Sequence, residues 1–120
     1  MPLKAFLREL TESVPGAQGA ILADWEGEMV DQVAVMDDFE LKVVGAHKSI
    51  ILNLLREALE GDEETDVQEI IISTDKVQTL LMPINKDYFL LFTMQRGEEV
   101  IGRARFMVER CVRRLRKEIE

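Results

Sequence analysis

The chain has 120 residues, of which 47% are hydrophobic and 32% are charged, and its formal net charge is −8. This balance is typical of a globular domain and excludes a disordered chain. No apolar run reaches the ~18–20 residues that cross a bilayer. Residues 98–120 carry +2 and the other residues −10, which argues against general nucleic-acid binding, because phosphates would be repelled. We expect a single domain over residues 1–120.

The cellular compartment is predicted from the cysteine count and the N-terminus. Cys111 is the single cysteine, so no disulfide can form within the chain, which suits a reducing compartment. The N-terminal segment "MPLKAFLREL" places charges among its apolar residues and lacks the apolar core of a secretory signal. We therefore expect a cytoplasmic protein.

The first third of the chain predicts a helix followed by a β-hairpin. Residues 3–14 place apolar side chains at the spacing of one helical face. Residues 17–24 and 29–35 are typical of two strands. Between them, "DWEG" predicts a turn, since the Asp24 carboxylate can accept bonds from nearby backbone amides and Gly27 tolerates a positive φ.

A long helix is predicted over residues 39–60. Asp37 or Asp38 is a suitable N-cap, Asp37 and Glu40 fit a capping box, and Gly61 is expected to end the helix. A helix that lies on a sheet needs one apolar stripe, so a second stripe indicates burial against another surface, such as a second subunit. The two stripes are Val44, Ile51, Leu55 and Ala58, and beside them Val43, Ile50 and Leu54.

Three strands and a helix complete the chain. Residues 67–74, 77–84 and 87–94 are strand-like runs separated by two residues each, the length of tight hairpins, which predicts an antiparallel meander. Their centres are continuously apolar, which indicates that both faces of the sheet are covered by helices. The last helix is predicted over residues 98–118.

The residues that could carry chemistry form no catalytic constellation. His47 has no evident partner that would orient it as a general base, and Cys111 lies on the apolar stripe of the last helix, where an inert core thiol is expected. Gly16 and Gly19 follow a helix and precede a strand, whereas a phosphate-binding loop follows a strand and precedes a helix. No Cys or His spacing fits a metal site. We expect no catalytic, cofactor-binding or metal-binding residues.

The first hairpin resembles a known family. "GAQGAILADWEG" is similar to the hairpin signature of the roadblock family (the dynein light-chain roadblock type) at Gly16, Gly19, Ala20, Asp24 and Gly27. The predicted order of elements, α-β-β-α-β-β-β-α, agrees with that family over nearly the whole chain. The resemblance implies an α+β, roadblock/profilin-like fold, with a five-stranded antiparallel sheet between the long helix on one face and the two terminal helices on the other.

The resemblance also implies a homodimer. Roadblock proteins typically pair their third strand across a two-fold axis, which here is the edge strand 67–74, and place their long helices, here residues 39–60, side by side. Small residues would let the helices approach closely. The expected dimer-interface residues are Gly45, Ala46, Ile70, Ile71 and Ile72.

The function implied by the resemblance is regulation of a GTPase. A bacterial MglB-like member would bind a small Ras-like GTPase of the MglA type on the face of the paired long helices, and would stimulate GTP hydrolysis by reshaping the GTPase's own active site. The protein would have no activity of its own and no nucleic-acid partner. The residues expected to face the GTPase are His47, Lys48, Asn53 and Arg56.

Two other classes of function remain as alternatives. The protein could be a non-activating scaffold or adaptor subunit of a multiprotein signalling or motility complex. It could also be a small-molecule sensor, although the large apolar residues of the meander leave little room for a ligand.

Overall fold

The computed structural model describes residues 3–26, 28–58, 67–97 and 101–119. Gly27, Gly61 and the predicted helix start at residue 98 lie outside the described residues, and so does the predicted end of the long helix at residue 60. The elements follow the predicted order: α1 (Leu3–Ser13), β1 (Ala17–Asp24), β2 (Met29–Ala34), α2 (Asp38–Ala58), β3 (Ile70–Ser73), β4 (Val77–Pro83), β5 (Tyr88–Gln95) and α3 (Ile101–Ile119).

Turn residues close the hairpins in the way their chemistry predicts. The Asp24 carboxylate accepts bonds from the backbone N–H groups of Glu26 and Glu28, both at 2.9 Å. Asn85 Oδ1 does the same between β4 and β5, with the backbone N–H groups of Asp87 and Tyr88. Side-chain acceptors of this kind satisfy the amides of a tight turn and bring the flanking strands together.

The five strands form one antiparallel sheet in the order β2-β1-β5-β4-β3. The predicted meander of β3, β4 and β5 is confirmed, and β2 and β3 are the two edges. The register aligns one side chain from each strand in a row across the face that α2 covers. From edge to edge this row is Gln32, Ile21, Leu91, Leu81 and Ile70.

The edge strand β3 is shorter than the predicted 67–74. Ile70 is its first paired residue and lies opposite Leu81, so an extended β3 would run opposite Pro83 at the end of β4. Proline has no N–H group to donate to a neighbouring strand. The ladder therefore stops before residues 67–69.

Both faces of the sheet are covered, as the continuous apolar runs predict. On one face, α1 and α3 bury Leu7, Leu22, Leu90 and Val108, all with no exposed surface. Arg114 of α3 joins the two helices, because it contacts a carboxylate oxygen of Glu9 at 2.8 Å. On the other face, α2 covers a smaller cluster of buried residues: Ile21, Ala23, Leu41, Leu52, Leu81, Phe89 and Leu91.

Cys111 lies in the core between α1 and α3, as predicted. Its side chain is buried, and the thiol contacts the backbone carbonyl oxygen of Phe6 at 3.7 Å. Burial raises the pKa of the Cys111 thiol from 9.0 to about 12, because an apolar environment penalises the thiolate.

Candidate protein-binding surface on the long helix

The helix α2 begins at a capping residue. Asp37 Oδ1 accepts hydrogen bonds from the backbone N–H groups of Phe39 at 3.0 Å and Glu40 at 3.1 Å. These bonds satisfy two of the amides that a helix start leaves unpaired. Asp37 is therefore the N-cap, and it fixes where the helix starts relative to the edge strand β2.

The sheet-facing side of α2 is formed by residues other than the predicted stripes. Leu41 and Leu52 are fully buried, and Gly45 and Ser49 lie between them along the helix. A Cβ atom on Gly45 would come within 2.7 Å of Ile21 Cδ1. The close approach that Gly45 allows is thus between α2 and its own sheet, which corrects the expectation that it faces a second helix.

The outward side of α2 is apolar and exposed. Neither predicted stripe is buried in the chain, and of their seven residues Val44 alone packs against the core below α2. A helix that is apolar on all sides is normally buried on all sides, and a contiguous exposed apolar patch marks an interaction site. The large apolar side chains of α2 that are exposed, by 38% to 72%, are Phe39, Val43, Ile50, Ile51, Leu54 and Leu55.

Contacts of α2 with the two edges of the sheet orient this surface. Lys42 and Ala46 line a cavity together with Gln32 of β2, so their side of the helix faces the β2 edge. At about 100° per residue, Val44, Ile51 and Leu55 share the opposite side of the helix, which therefore faces β3. We call it the β3-side stripe: Val44, Ile51 and Leu55. Val43, Ile50 and Leu54 lie further from the sheet, and we call them the outer stripe.

The predicted dimer residues are divided between the two edges of the sheet. Ala46 is exposed but lines a cavity with Gln32 and Met29 of β2, so it lies on the side of α2 away from β3. Ile71 of β3 is 41% exposed, while Ile70 and Ile72 are half-buried beneath α2. The structure therefore places the three isoleucines, and neither Gly45 nor Ala46, at the expected edge.

The four residues expected to face a GTPase do not form one surface. His47 is exposed, and helical geometry places it beside the outer stripe. Lys48 is half-buried. Asn53 Nδ2 donates to the Trp25 carbonyl oxygen at 2.6 Å, and the Arg56 guanidinium lies 3.7 Å from the centre of the Trp25 ring. Asn53 and Arg56 therefore hold the turn between β1 and β2 against α2.

Trp25 was not identified from the sequence as a residue that organises this region. Its ring packs on Phe89 with 5.1 Å between centroids, and its Nε1–H reaches the Asn85 carbonyl oxygen at 3.4 Å. The contact between Asn53 and Trp25 joins residues 28 positions apart. A helical pattern gives no signal for such a contact, so Asn53 and Arg56 look solvent-facing in the sequence.

The described residues contain neither a metal-binding group nor a helix that could span a membrane. Among the described residues, no three or more His, Cys, Asp and Glu side chains are grouped so that they could hold a metal ion. No helix of residues 3–26, 28–58, 67–97 and 101–119 is both long and apolar enough to span a membrane.

Comparison with known proteins identifies the family. The family model for the Roadblock/LC7 domain matches residues 3–93, well over half of the chain. The chain belongs to the Roadblock/LC7 family. The resemblance of its first hairpin to the roadblock signature is thereby confirmed. No curated protein sequence matched the chain.

Solved structures confirm the Roadblock/LC7 fold. A Roadblock/LC7 domain from Streptomyces avermitilis is 18% identical, with a TM-score of 0.86 over 99% of this chain and 98% of that one. MglB from Myxococcus xanthus is 12% identical, with a TM-score of 0.83 over 98% and 94%. MglC from the same organism is 23% identical, with a TM-score of 0.72 over 98% and 99%. Identities this low establish the fold alone.

Proposed function

We propose that this Roadblock/LC7 protein is a homodimeric regulator or docking platform for a small Ras-like GTPase of the MglA type. The observation that carries the proposal is the outward side of α2, which exposes six large apolar side chains. A protein without a partner would leave this surface in water, at a cost of about 25 cal/mol for each Å² of apolar area. The family membership and the likeness to MglB structures support the choice of a GTPase.

The dimer would form at the β3 edge of the sheet. β3 has β4 on one side, and its other side is an edge of the five-stranded sheet. An exposed edge strand is a ready template for pairing with another strand. Pairing of two β3 strands around a two-fold axis would join the two sheets and bring the β3-side stripes of the two α2 helices together. Ile51 and Leu55, which are 44% and 39% exposed in the single chain, would then be buried.

The outer stripe would remain available to the GTPase after dimerisation. Val43, Ile50 and Leu54 point further from the sheet, with His47 beside them, and Leu54 is 61% exposed. Two such stripes, side by side in the dimer, would form one apolar surface with charged residues around it. Interfaces of regulatory complexes have this composition, with an apolar centre and a polar rim.

The experiment is to mix the protein with the Ras-like GTPases of its source genome, each loaded with GDP or with a non-hydrolysable GTP analogue, and to measure the mass of the complex. We expect one of them to bind preferentially in one nucleotide state. Leu54→Lys should weaken binding at least tenfold, because a charge replaces an apolar contact at the centre of the surface. The matched control is Phe106→Lys on α3, since Phe106 is similarly exposed, at 57%.

Two results would contradict the proposal: binding to none of these GTPases, or equal loss of binding in the Leu54→Lys and Phe106→Lys variants. The rate of GTP hydrolysis distinguishes regulation from simple attachment. Faster hydrolysis in the complex identifies an activating protein. Binding in both nucleotide states with unchanged hydrolysis identifies the non-activating scaffold instead.

A further inference from the structure

The outward side of α3 is basic. The helix packs on the rest of the chain through its buried side, which includes Ala104, Val108 and Leu115. At about 100° per residue, the opposite side points into solvent. We call its four exposed basic residues the α3 basic stripe, which extends about 21 Å along the helix axis. The stripe consists of Arg103, Arg110, Arg113 and Lys117.

Most charges of the α3 basic stripe are not used within the described part of the chain. There, Arg103, Arg110 and Lys117 form no ion pair. Arg113 lies 3.5 Å from Glu109, but both side chains are more than half exposed, and a pair of this kind is weak. The other three basic residues of α3 are held by the protein itself: Arg105 by Glu69, Arg114 by Glu9, and Arg116 by the Ile84 carbonyl oxygen.

The positive charge is concentrated on α3. Residues 101–119 hold seven basic and two acidic side chains, a net charge of +5, whereas the described residues of α1 and of α2 are neutral. The glutamates that lower the charge of residues 98–120 to +2 precede or follow α3 and lie outside the described residues: Glu98, Glu99 and Glu120. In sequence, Arg110 is ten or more residues from each of them.

Acidic groups on the far side of the molecule are screened from a surface that touches α3. Even the smallest dimension of the molecule is 27 Å between Cα atoms. The Debye length at physiological ionic strength is about 8 Å, roughly a third of that distance. The overall negative charge of the chain therefore does not prevent the α3 basic stripe from attracting an anionic surface.

An aromatic side chain lies within the same surface. Phe106 is 57% exposed and is about one helical turn from both Arg103 and Arg110. Among the described residues of α1 and α3, it is the one large apolar side chain that is exposed. Basic residues together with an exposed aromatic ring are typical of protein surfaces that lie against lipid headgroups.

The composition of this surface favours a lipid bilayer over an acidic protein. A protein interface has an apolar centre formed by several side chains, whereas this surface supplies Phe106 alone. An anionic bilayer requires no such centre, because it attracts each nearby Lys or Arg separately. The neighbouring helix α1 does not oppose this attraction, since it is neutral and its Glu9 contacts Arg114 at 2.8 Å.

We propose that the outward side of α3 binds the anionic headgroups of a lipid bilayer. The α3 basic stripe would lie in the headgroup layer, and Phe106 would enter the interface between headgroups and acyl chains. The helix would stay packed on the sheet, because its apolar side is buried there. This proposal is independent of the proposed GTPase partner, which would bind α2 on the opposite face of the sheet.

Sedimentation with vesicles tests the requirement for charge. The protein is mixed with vesicles of phosphatidylcholine alone, or of phosphatidylcholine and phosphatidylglycerol in equal parts. We expect the wild type to bind the anionic vesicles only, and to be released when the salt concentration is raised, because salt screens the attraction.

Two double variants test whether the α3 basic stripe is responsible. Arg110→Gln combined with Lys117→Gln should bind anionic vesicles about 25-fold more weakly, because each basic residue near an anionic surface contributes about fivefold. The matched control, Lys42→Gln combined with Lys76→Gln, removes the same charge from exposed residues of α2 and of the turn between β3 and β4. It should bind as the wild type does.

Tryptophan fluorescence tests the orientation of the bound protein. Trp25 is the single tryptophan, and its ring packs on Phe89 of the cluster below α2. Brominated lipids in the anionic vesicles should therefore leave the wild-type fluorescence unchanged and quench that of Phe106→Trp. The matched control is Phe39→Trp on α2, at a position that is 72% exposed, and it should show no additional quenching.

Four results would overturn the proposal: no binding of the wild type to anionic vesicles at low salt, equal binding to the two kinds of vesicle, equal weakening by the two double variants, or quenching of Phe39→Trp instead of Phe106→Trp. Tighter binding to polyglutamate or to duplex DNA than to anionic vesicles would assign the surface to an acidic protein or a nucleic acid instead. The comparison of vesicles uses the wild-type protein, so it decides the matter even if a variant fails to fold.

Discussion

Individual residues determine how closely α2 approaches the sheet. Gly19 of β1 is buried beneath the start of α2, and a Cβ atom there would lie 2.7 Å from Leu41 Cδ2 and 3.1 Å from the Val33 carbonyl oxygen. The leucine tip can rotate, but the carbonyl belongs to the neighbouring strand and cannot move without disturbing the ladder. Gly19 is thus a packing residue of the hairpin and not part of a phosphate-binding loop.

Gly19→Ala should lower the free energy of unfolding by about 1–3 kcal/mol, the usual cost of overpacking a core. Gly102→Ala on α3 is the matched control, because no atom lies within 4 Å of the position where its Cβ would be. It should leave stability unchanged or raise it slightly, since alanine favours a helix. Urea unfolding of both variants measures the difference. Equal stability of the two would contradict the tight packing assigned to Gly19.

Cys111 makes the stability of the fold dependent on pH in the alkaline range. Its thiol has a pKa of about 12 in the folded protein and an ordinary value of 9.0, so above pH 9 the unfolded chain releases a proton that the folded chain retains. The stabilisation that comes from burying the protonated thiol is therefore fully present below pH 9, and it is lost as the pH rises towards 12. The loss reaches about 2 kcal/mol near pH 10.5.

The pH dependence is measured against a variant without the thiol. Denaturant unfolding of the wild type and of Cys111→Ala at several pH values between about 8 and 10.5 gives the difference in stability, and this difference should shrink as the pH rises. Other groups that titrate in this range contribute equally to both proteins. A difference that stays constant would mean that the thiol ionises as readily in the folded protein as in the unfolded one.

The helices and strands were largely predictable from the sequence, because local rules set them. The bounds of β1 agree with the prediction, and Asp24 and Asp37 accept the expected backbone hydrogen bonds. The connections of the meander are longer than the two residues predicted, with residues 74–76 between β3 and β4 and residues 84–87 between β4 and β5. The pairing of β1 with β5 joins distant parts of the chain, which periodicity cannot indicate.

The sheet-facing side of α2 was predicted wrongly, and the reason is physical. Periodicity shows which residues share a side of a helix, but when both sides are apolar it does not show which side meets the sheet. The small residues Gly45 and Ser49, together with Leu41 and Leu52, form the sheet-facing side and leave both predicted stripes largely exposed. The contacts of Asn53 and Arg56 with Trp25, and the cavity at Gln32, depend on the tertiary structure and have no local signal.

The contribution of the N-cap residue Asp37 to the stability of α2 can be tested separately. Asp37→Ala removes the acceptor for two backbone amides and should cost about 1 kcal/mol of stability. Asp75→Ala, in the exposed turn between β3 and β4, is the control and should change stability by less than about 0.5 kcal/mol. Thermal unfolding followed by circular dichroism measures both. A loss no greater for Asp37→Ala than for Asp75→Ala would contradict the capping role.

At the scale of the whole molecule, the two faces of the sheet are covered differently. On one face, two helices enclose the larger core, with helix-to-helix contacts such as that between Arg114 and Glu9. On the other face, a single helix covers a smaller core and turns an apolar surface outward. An exposed apolar surface of this kind marks an interaction site, and the dimer proposed above would bury part of it.

Light scattering of the wild type, of Ile51→Lys and of Val30→Lys tests this account most directly. Ile51 lies on the β3-side stripe and Val30 on the opposite edge strand, and both are exposed in the single chain, at 44% and 48%, so neither lysine should unfold it. At the dimer axis, two unpaired lysines would be buried together at a cost of several kcal/mol. We predict a wild type and a Val30→Lys variant at twice the 13.8 kDa chain mass, and a folded monomer for Ile51→Lys. A monomeric wild type, or an Ile51→Lys variant that stays dimeric, would contradict the account.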